Sequence, residues 1–221
     1  MKIRYLTWCW NGWRWWTPTD ERIIMKEEFY TKNRWQNWIN KIKESEFNLQ
    51  GSEDEPGAAD FVNAMDDVVL ACLKVIARQE HDLIPNDAAI SSIDDIWEII
   101  SEEHEPLGED ADLMIDSLRT SLTSVFCSCQ RYIGKSYDSD TPFQVLVEKA
   151  LDAEGSGRID DALEILSQAG ARVIGGETIP DEVFVDLPDS TVAELLDGID
   201  AISAAMIGDD SYKEDGNAKN A

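Results

Sequence analysis

The sequence has few basic residues, few histidines and no long apolar run. It contains 19 Lys and Arg against 45 Asp and Glu, for a formal net charge of −26, and only two histidines. The apolar run at residues 68–73 is broken by Lys74, and it is far shorter than the ~20 apolar residues that a membrane-spanning helix needs. The sequence therefore predicts a protein that does not enter a membrane.

The four cysteines do not have the spacing of a disulfide framework or of a metal site. Cys72, Cys127 and Cys129 lie in apolar helical patterns, where a free thiol behaves as a small hydrophobic group. Two positions along a helix are about 200° apart, so Cys127 and Cys129 cannot both face one ion. We expect no metal and no cofactor, and the lack of a secretory signal favours a reduced, cytoplasmic setting.

The negative charge is concentrated in the part of the chain beyond residue 43. Residues 1–43 carry nine Lys and Arg and four Asp and Glu, a net charge of +5, whereas the remaining residues carry ten and forty-one, a net charge of −31. Nucleic-acid binding depends on Lys and Arg side chains that displace counterions from phosphates. Because a polyanionic body repels phosphates, we expect no nucleic-acid partner.

Composition divides the chain into three parts. Residues 1–24 hold five of the eight Trp residues and show neither a helical nor a strand period. We interpret them as a Trp-rich leader outside the fold, the result of a misassigned start codon with Met25 as the true first residue. The alternative is an aromatic, basic arm that inserts into a partner or a membrane surface. Residues 25–207 form the acidic helical domain, and the polar residues 208–221 are expected to form a disordered tail.

Apolar residues recur with the helical period over almost the whole domain, which predicts a single all-α domain, a bundle of about six or seven helices. Residues 142–169 form two helical patterns joined by a short connection at residues 155–157. This hairpin resembles a tetratricopeptide unit, although two antiparallel helices of a plain bundle give the same pattern. Residues 183–185 are compatible with a short strand or an extended plug, and Gly208 is expected to end the last helix.

The first helix of the domain combines an apolar stripe with basic residues. Apolar residues recur at helical spacing at Trp35, Trp38, Ile39 and Ile42. Arg34 and Lys41 lie on a neighbouring stripe, and we expect their charges to lie against the acidic body rather than in the groove of a partner. The helix is nevertheless the best sequence-based candidate for an interaction surface, with the residues Arg34, Trp35, Gln36, Trp38 and Lys41.

No residue pattern indicates a catalytic site. His81 and His104 follow helix ends, where a positive charge is mildly favoured, and no Ser, Cys or Lys has the context of a nucleophile elbow or phosphate loop. We therefore expect a non-enzymatic adaptor or regulatory protein that acts through a protein partner or self-association. The alternative is a small enzyme whose site combines scattered carboxylates with Arg119 or Arg131. A deep apolar pocket lined by converging charged groups would favour the enzyme, and a flat or grooved apolar patch would favour the adaptor.

Four stretches between Glu28 and Met206 carry a family resemblance. They are EEFYTKNRWQNWINKI, DSLRTSLTSVFCSCQRYIG, IDDALEILSQAGARVIGGETI and VAELLDGIDAISAAM, and the aromatic motif at residues 29–38 is the most specific of their features. In these stretches the chain resembles an archaeal family known only as a domain of unknown function, family twenty-one-fifty. That family opens just before the aromatic motif, which implies that residues 1–24 lie outside its pattern. No catalytic or binding residue is established for the family, so the resemblance implies none here.

Overall fold

A computed structural model describes most of the chain. The described ranges are residues 27–45, 47–49, 57–185 and 187–217, with side chains up to residue 207. The Trp-rich leader that the sequence places at residues 1–24 lies outside these ranges. Among the helices that the structure describes, none is both long enough and apolar enough to cross a bilayer.

The described residues form seven α-helices and one short 3-10 helix, without any strand. The α-helices are α1 (Lys32–Glu44), α2 (Ala58–Glu80), α3 (Asn86–Ser101), α4 (Glu109–Gly134), α5 (Phe143–Gly155), α6 (Ile159–Ile174) and α7 (Thr191–Asn217). The 3-10 helix spans Asp181–Phe184. The prediction of a single all-helical domain is confirmed. α5 and α6 pack together across the short connection that the sequence indicates, whereas their likeness to a tetratricopeptide unit stays a prediction.

α4 lies at the centre of the bundle. It packs against α2, α3, α6 and α7, whereas α1 packs against α2 and α3 and α5 packs mainly against α6. A helix that is surrounded by neighbours must bury more than one face, and eleven of the 26 residues of α4 are buried. The central position of α4 explains why its apolar pattern is the longest in the sequence.

Small residues let α6 and α7 approach α4 closely. Ser121, Ser124 and Ser128 of α4 are buried although they are polar, and the hydroxyl of Ser124 donates a hydrogen bond to the carbonyl of Leu195 in α7 at 2.7 Å. Facing Ser121 and Ser124, Gly198 of α7 lies so close that an added Cβ would be 2.0 Å from the Ser121 carbonyl oxygen. At Gly198, the contact between α4 and α7 therefore has room for backbone and hydroxyl groups only.

Two local predictions need correction. α7 passes through Gly208 and continues to Asn217, so the last helix does not end where the sequence indicated, and the predicted disordered tail begins inside it. A single Gly costs a helix only about 1 kcal/mol and does not by itself end one. Residues 183–185 do not form a strand, because a 3-10 turn after Pro180 buries Val183, which keeps only 3% of its surface exposed.

Candidate protein-interaction surfaces

The first helix is held in place by the residues just before it. Phe29 and Tyr30 are buried in the core, and the hydroxyl oxygen of Thr31 accepts a hydrogen bond from the backbone N–H of Arg34 at 3.1 Å. A threonine in this position satisfies one of the free N–H groups that every helix start leaves. The aromatic motif thus fixes both the start of α1 and its attachment to the body.

The five residues that the sequence places on an interaction surface fall into two groups. Trp35 keeps only 4% of its surface exposed, and it packs in the core beside Ile39 and Ile42. Because a buried side chain cannot meet a partner, this position corrects the expectation for Trp35. Of the other four, Arg34, Trp38 and Lys41 share one side of α1, which we call its outer side, whereas Gln36 is exposed on another side. The role of these four residues in binding stays a prediction.

A single carboxylate on α2 accepts hydrogen bonds from side chains on the outer side of α1 and from a residue just before this helix. Asp67 accepts hydrogen bonds from Nε of Arg34 at 2.8 Å, from Nε1 of Trp38 at 2.8 Å and from the Tyr30 hydroxyl at 3.1 Å. A second guanidinium nitrogen of Arg34 bonds the other carboxylate oxygen. A bidentate Arg–carboxylate pair with further donors is among the stronger polar contacts in proteins. Asp67 therefore fastens α1 to α2.

The charges of α1 are paired within the chain. Lys32 pairs with Glu102, and Lys43 lies 3.8 Å from Glu105. The ammonium of Lys41 lies 4.2 Å from the centre of the Trp38 ring, within the range of a cation–π contact. The expectation that the basic residues lie against the acidic body is confirmed for Arg34, which pairs with Asp67, whereas Lys41 contacts Trp38 of its own helix. Three of the four basic residues of α1 thus attach it to the body.

The environment of Asp67 favours its charged form. Burial raises the pKa of Asp67, but the hydrogen bonds from Arg34 and Trp38 and the Arg34 charge together outweigh burial and hold the pKa below its ordinary value. Its sequence neighbour Asp66 lacks these partners, and burial raises the pKa of Asp66. The pKa values of these two adjacent carboxyl groups are thus shifted in opposite directions.

Replacement of Asp67 by asparagine is expected to lower the free energy of unfolding by about 1–2 kcal/mol at neutral pH, because an amide cannot satisfy the Arg34, Trp38 and Tyr30 donors together. A depressed pKa in the folded state adds stability that is present above the unfolded value of about 3.9 and is lost as the pH falls through the folded pKa. The difference between wild type and variant should therefore shrink below about pH 3.9. Urea denaturation at a series of pH values measures it.

Asp66→Asn is the matched control for this prediction. Its carboxylate is disfavoured by burial, so the variant should be as stable as wild type or slightly more stable at neutral pH. Equal destabilisation by Asp66→Asn and Asp67→Asn would contradict the assignment of Asp67 as the specific acceptor.

Arg119 and Arg131, the two arginines considered for an enzyme site, both make contacts that join helices of the fold. Arg119 donates to the carbonyls of Ile100 at 3.0 Å and Glu102 at 2.7 Å, and so caps the end of α3. Arg131 donates to the hydroxyl of Ser167 at 2.6 Å and pairs with Glu164 at 3.2 Å, which ties α4 to α6. The two guanidinium groups have separate partners on separate helices, and the structure does not bring them together.

The three cysteines and two histidines that the structure describes differ in burial. Cys72 and Cys129 are fully buried, and burial together with the neighbouring Cys129 raises the pKa of Cys72. Burial raises the pKa of Cys127, which faces α6, to about 11. Only thiolates are strong nucleophiles and metal ligands. His81 is exposed at the end of α2, whereas His104 is partly covered and lies 4.0 Å from Asp112.

Within the described ranges, no group of three His, Cys, Asp or Glu side chains is arranged to hold a metal ion. As helical geometry predicts, Cys127 and Cys129 point into different surroundings, since one is partly exposed and the other is buried. A thiolate site built on this pair is therefore incompatible with the regular helix that carries it.

An apolar groove between α2 and α7 is the surface that the sequence did not reveal. It has a volume of about 380 Å³ and is lined by Leu70, Leu73, Lys74, Ile76, Ala77, Glu80, His81, Ile174, Ala205 and Met206. Leu70 exposes 53% of its surface, and Ile207, next to Met206, exposes 66%. We call this surface the α2–α7 groove.

The spacing of apolar residues along α2 explains the groove. Leu70, Leu73 and Ala77 are three and four positions apart and form one stripe on the helix surface, next to the stripe that is buried against α4. Ile76 and Ile174 are buried beneath it, with 3% and 5% of their surfaces exposed. The sequence shows one wide apolar face on α2, and only the positions of α4 and α7 separate its buried part from its open part.

Comparison with known proteins identifies a family and no closer relative. A family model described as an uncharacterized protein conserved in archaea, DUF2150, matches residues 28–215. No curated protein and no solved structure matches the chain. The match includes α1 with its aromatic motif, Asp67 and every residue that lines the α2–α7 groove. The chain therefore belongs to the archaeal family DUF2150.

Proposed function

We propose that the protein is a cytoplasmic adaptor or regulatory protein, and that it binds another protein through the α2–α7 groove. The observation that carries the proposal is the exposure of Leu70 in an apolar depression between two helices. Contiguous apolar surface on a soluble protein commonly marks a binding site. Only three of the ten residues that line the groove, Lys74, Glu80 and His81, can carry a charge, and such a mainly apolar lining suits a protein contact better than a catalytic site.

The charge of the body supports a protein partner over a nucleic acid. The residues beyond Lys43 carry a net charge of −31, and such a field repels phosphates. On α1, Lys32, Lys43 and Arg34 are already paired with Glu102, Glu105 and Asp67, and Lys41 lies over the Trp38 ring. The supporting features therefore lie at the groove and not at the basic helix.

A change of Leu70 to aspartate is expected to reduce recovery of the partner at least about tenfold, which corresponds to about 1.4 kcal/mol of binding free energy. The variant places a charge in the middle of the apolar depression, and a charge without a partner is costly to bury. Affinity purification of the tagged full-length protein from its native host measures the recovery. Because Leu70 is exposed, the stability should change by no more than about 0.5 kcal/mol.

Leu113→Asp is the matched control, because Leu113 is an equally exposed leucine (56%) on α4, outside the groove. It should retain the partner at the wild-type level. Equal recovery with both variants, or the absence of any stoichiometric partner, would contradict the proposed function.

A further inference from the structure

We infer that the α2–α7 groove holds one amphipathic helix of another protein, and that this helix carries Lys or Arg residues beside its apolar anchors. The inference rests on the proposed function and adds the chemistry of the partner.

The shape of the groove fits a helix. Leu70, Leu73 and Ala77 extend along about 10 Å of α2, at 1.5 Å for each residue, and Ala205 and Met206 of α7 form the opposite wall. The small side chains of Ala77 and Ala205 make the low points between the larger Leu70 and Met206. Two walls of packed helix with a low apolar floor are the usual receptor for the apolar face of a third helix, which binds through residues at i, i+3 or i+4 and i+7.

The charge of the groove-forming helices favours a basic occupant. In the parts of these helices whose side chains are described, residues 58–80 and 191–207, there are seven acidic and two basic residues. Lys74 and Glu80 offset each other within the lining, so the negative excess lies around the groove, where the charged rim of a bound helix would lie. Along α7, neither Lys nor Arg occurs between Thr191 and Ile207. Burial and the neighbouring Asp200 and Glu194 raise the pKa of Asp197, which is consistent with negative charge that lacks a balancing cation. A helix with Lys or Arg along its rim gains from this field, and an acidic one is repelled.

A second copy of the chain is a poor occupant, because it would bring another net charge of −26 to an already acidic surface. Residues 1–26 of the same chain carry five basic and two acidic residues and five Trp, and so would suit the groove in charge. They lie outside the range that the family model matches, whereas every groove residue lies inside it. The groove is thus a feature of the matched domain, and its occupant is sought in another protein.

Site-specific photo-crosslinking in the native host tests the inference on the full chain. A photo-reactive benzoylphenylalanine replaces Leu70 in one variant and Leu113 in the control, and mass spectrometry locates the crosslinked residue in the adduct. We expect an adduct at position 70 alone, in a segment of another protein with apolar residues at helical spacing and an excess of Lys and Arg. Both variants should melt at the wild-type temperature, because both leucines are exposed.

A synthetic peptide with the crosslinked sequence then tests the charge. Exchange of its Lys and Arg residues for Gln should weaken binding to the wild-type protein at least about tenfold, and binding of the unmodified peptide should weaken with added salt. Equal affinity of the two peptides, an acidic partner segment, or an adduct within residues 1–26 or a second copy would overturn the inference while a contact at the groove remained. No adduct at position 70 would overturn the proposed function as well.

Discussion

Replacement of Gly198 by alanine is expected to lower the free energy of unfolding by about 3 kcal/mol, at the upper end of the usual cost of overpacking a core. The new Cβ would lie 2.0 Å from the carbonyl oxygen of Ser121 and 2.5 Å from the hydroxyl oxygen of Ser124. A serine hydroxyl can rotate away, but a helix carbonyl cannot. α7 must therefore move away from α4, which disturbs the packing of both helices.

Replacement of a glycine by alanine where there is open space should not lower the free energy of unfolding and should tend to raise it. Gly155 ends α5, and an added Cβ there meets no atom within 4 Å. Because alanine favours the helix more than glycine does, Gly155→Ala should leave the stability unchanged or raise it by up to about 1 kcal/mol. Urea denaturation followed by circular dichroism measures both variants. If Gly198→Ala unfolds within about 0.5 kcal/mol of wild type, α4 and α7 do not approach as closely as the structure shows.

The contact at Gly198 also shows what periodicity can and cannot predict. Apolar repeats were sufficient to predict an all-helical domain of about six or seven helices, because each helix buries at least one apolar stripe. They did not indicate that Ser121, Ser124 and Ser128 are buried, since a serine counts as polar in such a pattern. Their i, i+3, i+7 spacing was the available signal, and it becomes meaningful only when a glycine on another helix is known to face it.

The polar contacts of α1 were predictable in kind but not in detail. The excess of basic residues before Lys43 indicated pairing with the acidic body. Which carboxylate would be the acceptor was not predictable, because Asp66 and Asp67 are adjacent in the sequence. They are about 100° apart around α2, and only the position of α1 makes one of them the partner of Arg34.

The α2–α7 groove could not be predicted from the sequence for a related reason. Leu70 lies within the apolar run at residues 68–73, most of which is buried in the core. The exposure of Leu70 therefore depends on where the neighbouring helices leave a gap. Whether a residue in a wide apolar face is covered is decided by tertiary packing and not by its own helix.

Replacement of Trp35 by alanine is expected to lower the free energy of unfolding by about 4 kcal/mol, within the range for large aromatic side chains removed from a core. Trp35 is 4% exposed and packs with Ile39 and Ile42 beneath the outer side of α1. Loss of the indole removes apolar contacts and leaves a cavity that α1 fills only by shifting toward α2. The free energy of unfolding from urea titration measures the effect.

Gln36→Ala separates this role from that of a surface residue. Gln36 follows Trp35 on the exposed side of α1 and hydrogen-bonds only Asn40, one turn away, at 3.2 Å. Its replacement should change the stability by no more than about 0.5 kcal/mol. If Trp35 contributed to a partner interface, Trp35→Ala would reduce partner recovery and leave unfolding unchanged. If Trp35 acts in the core, Trp35→Ala should lower the free energy of unfolding. Binding should then weaken only because the folded population falls.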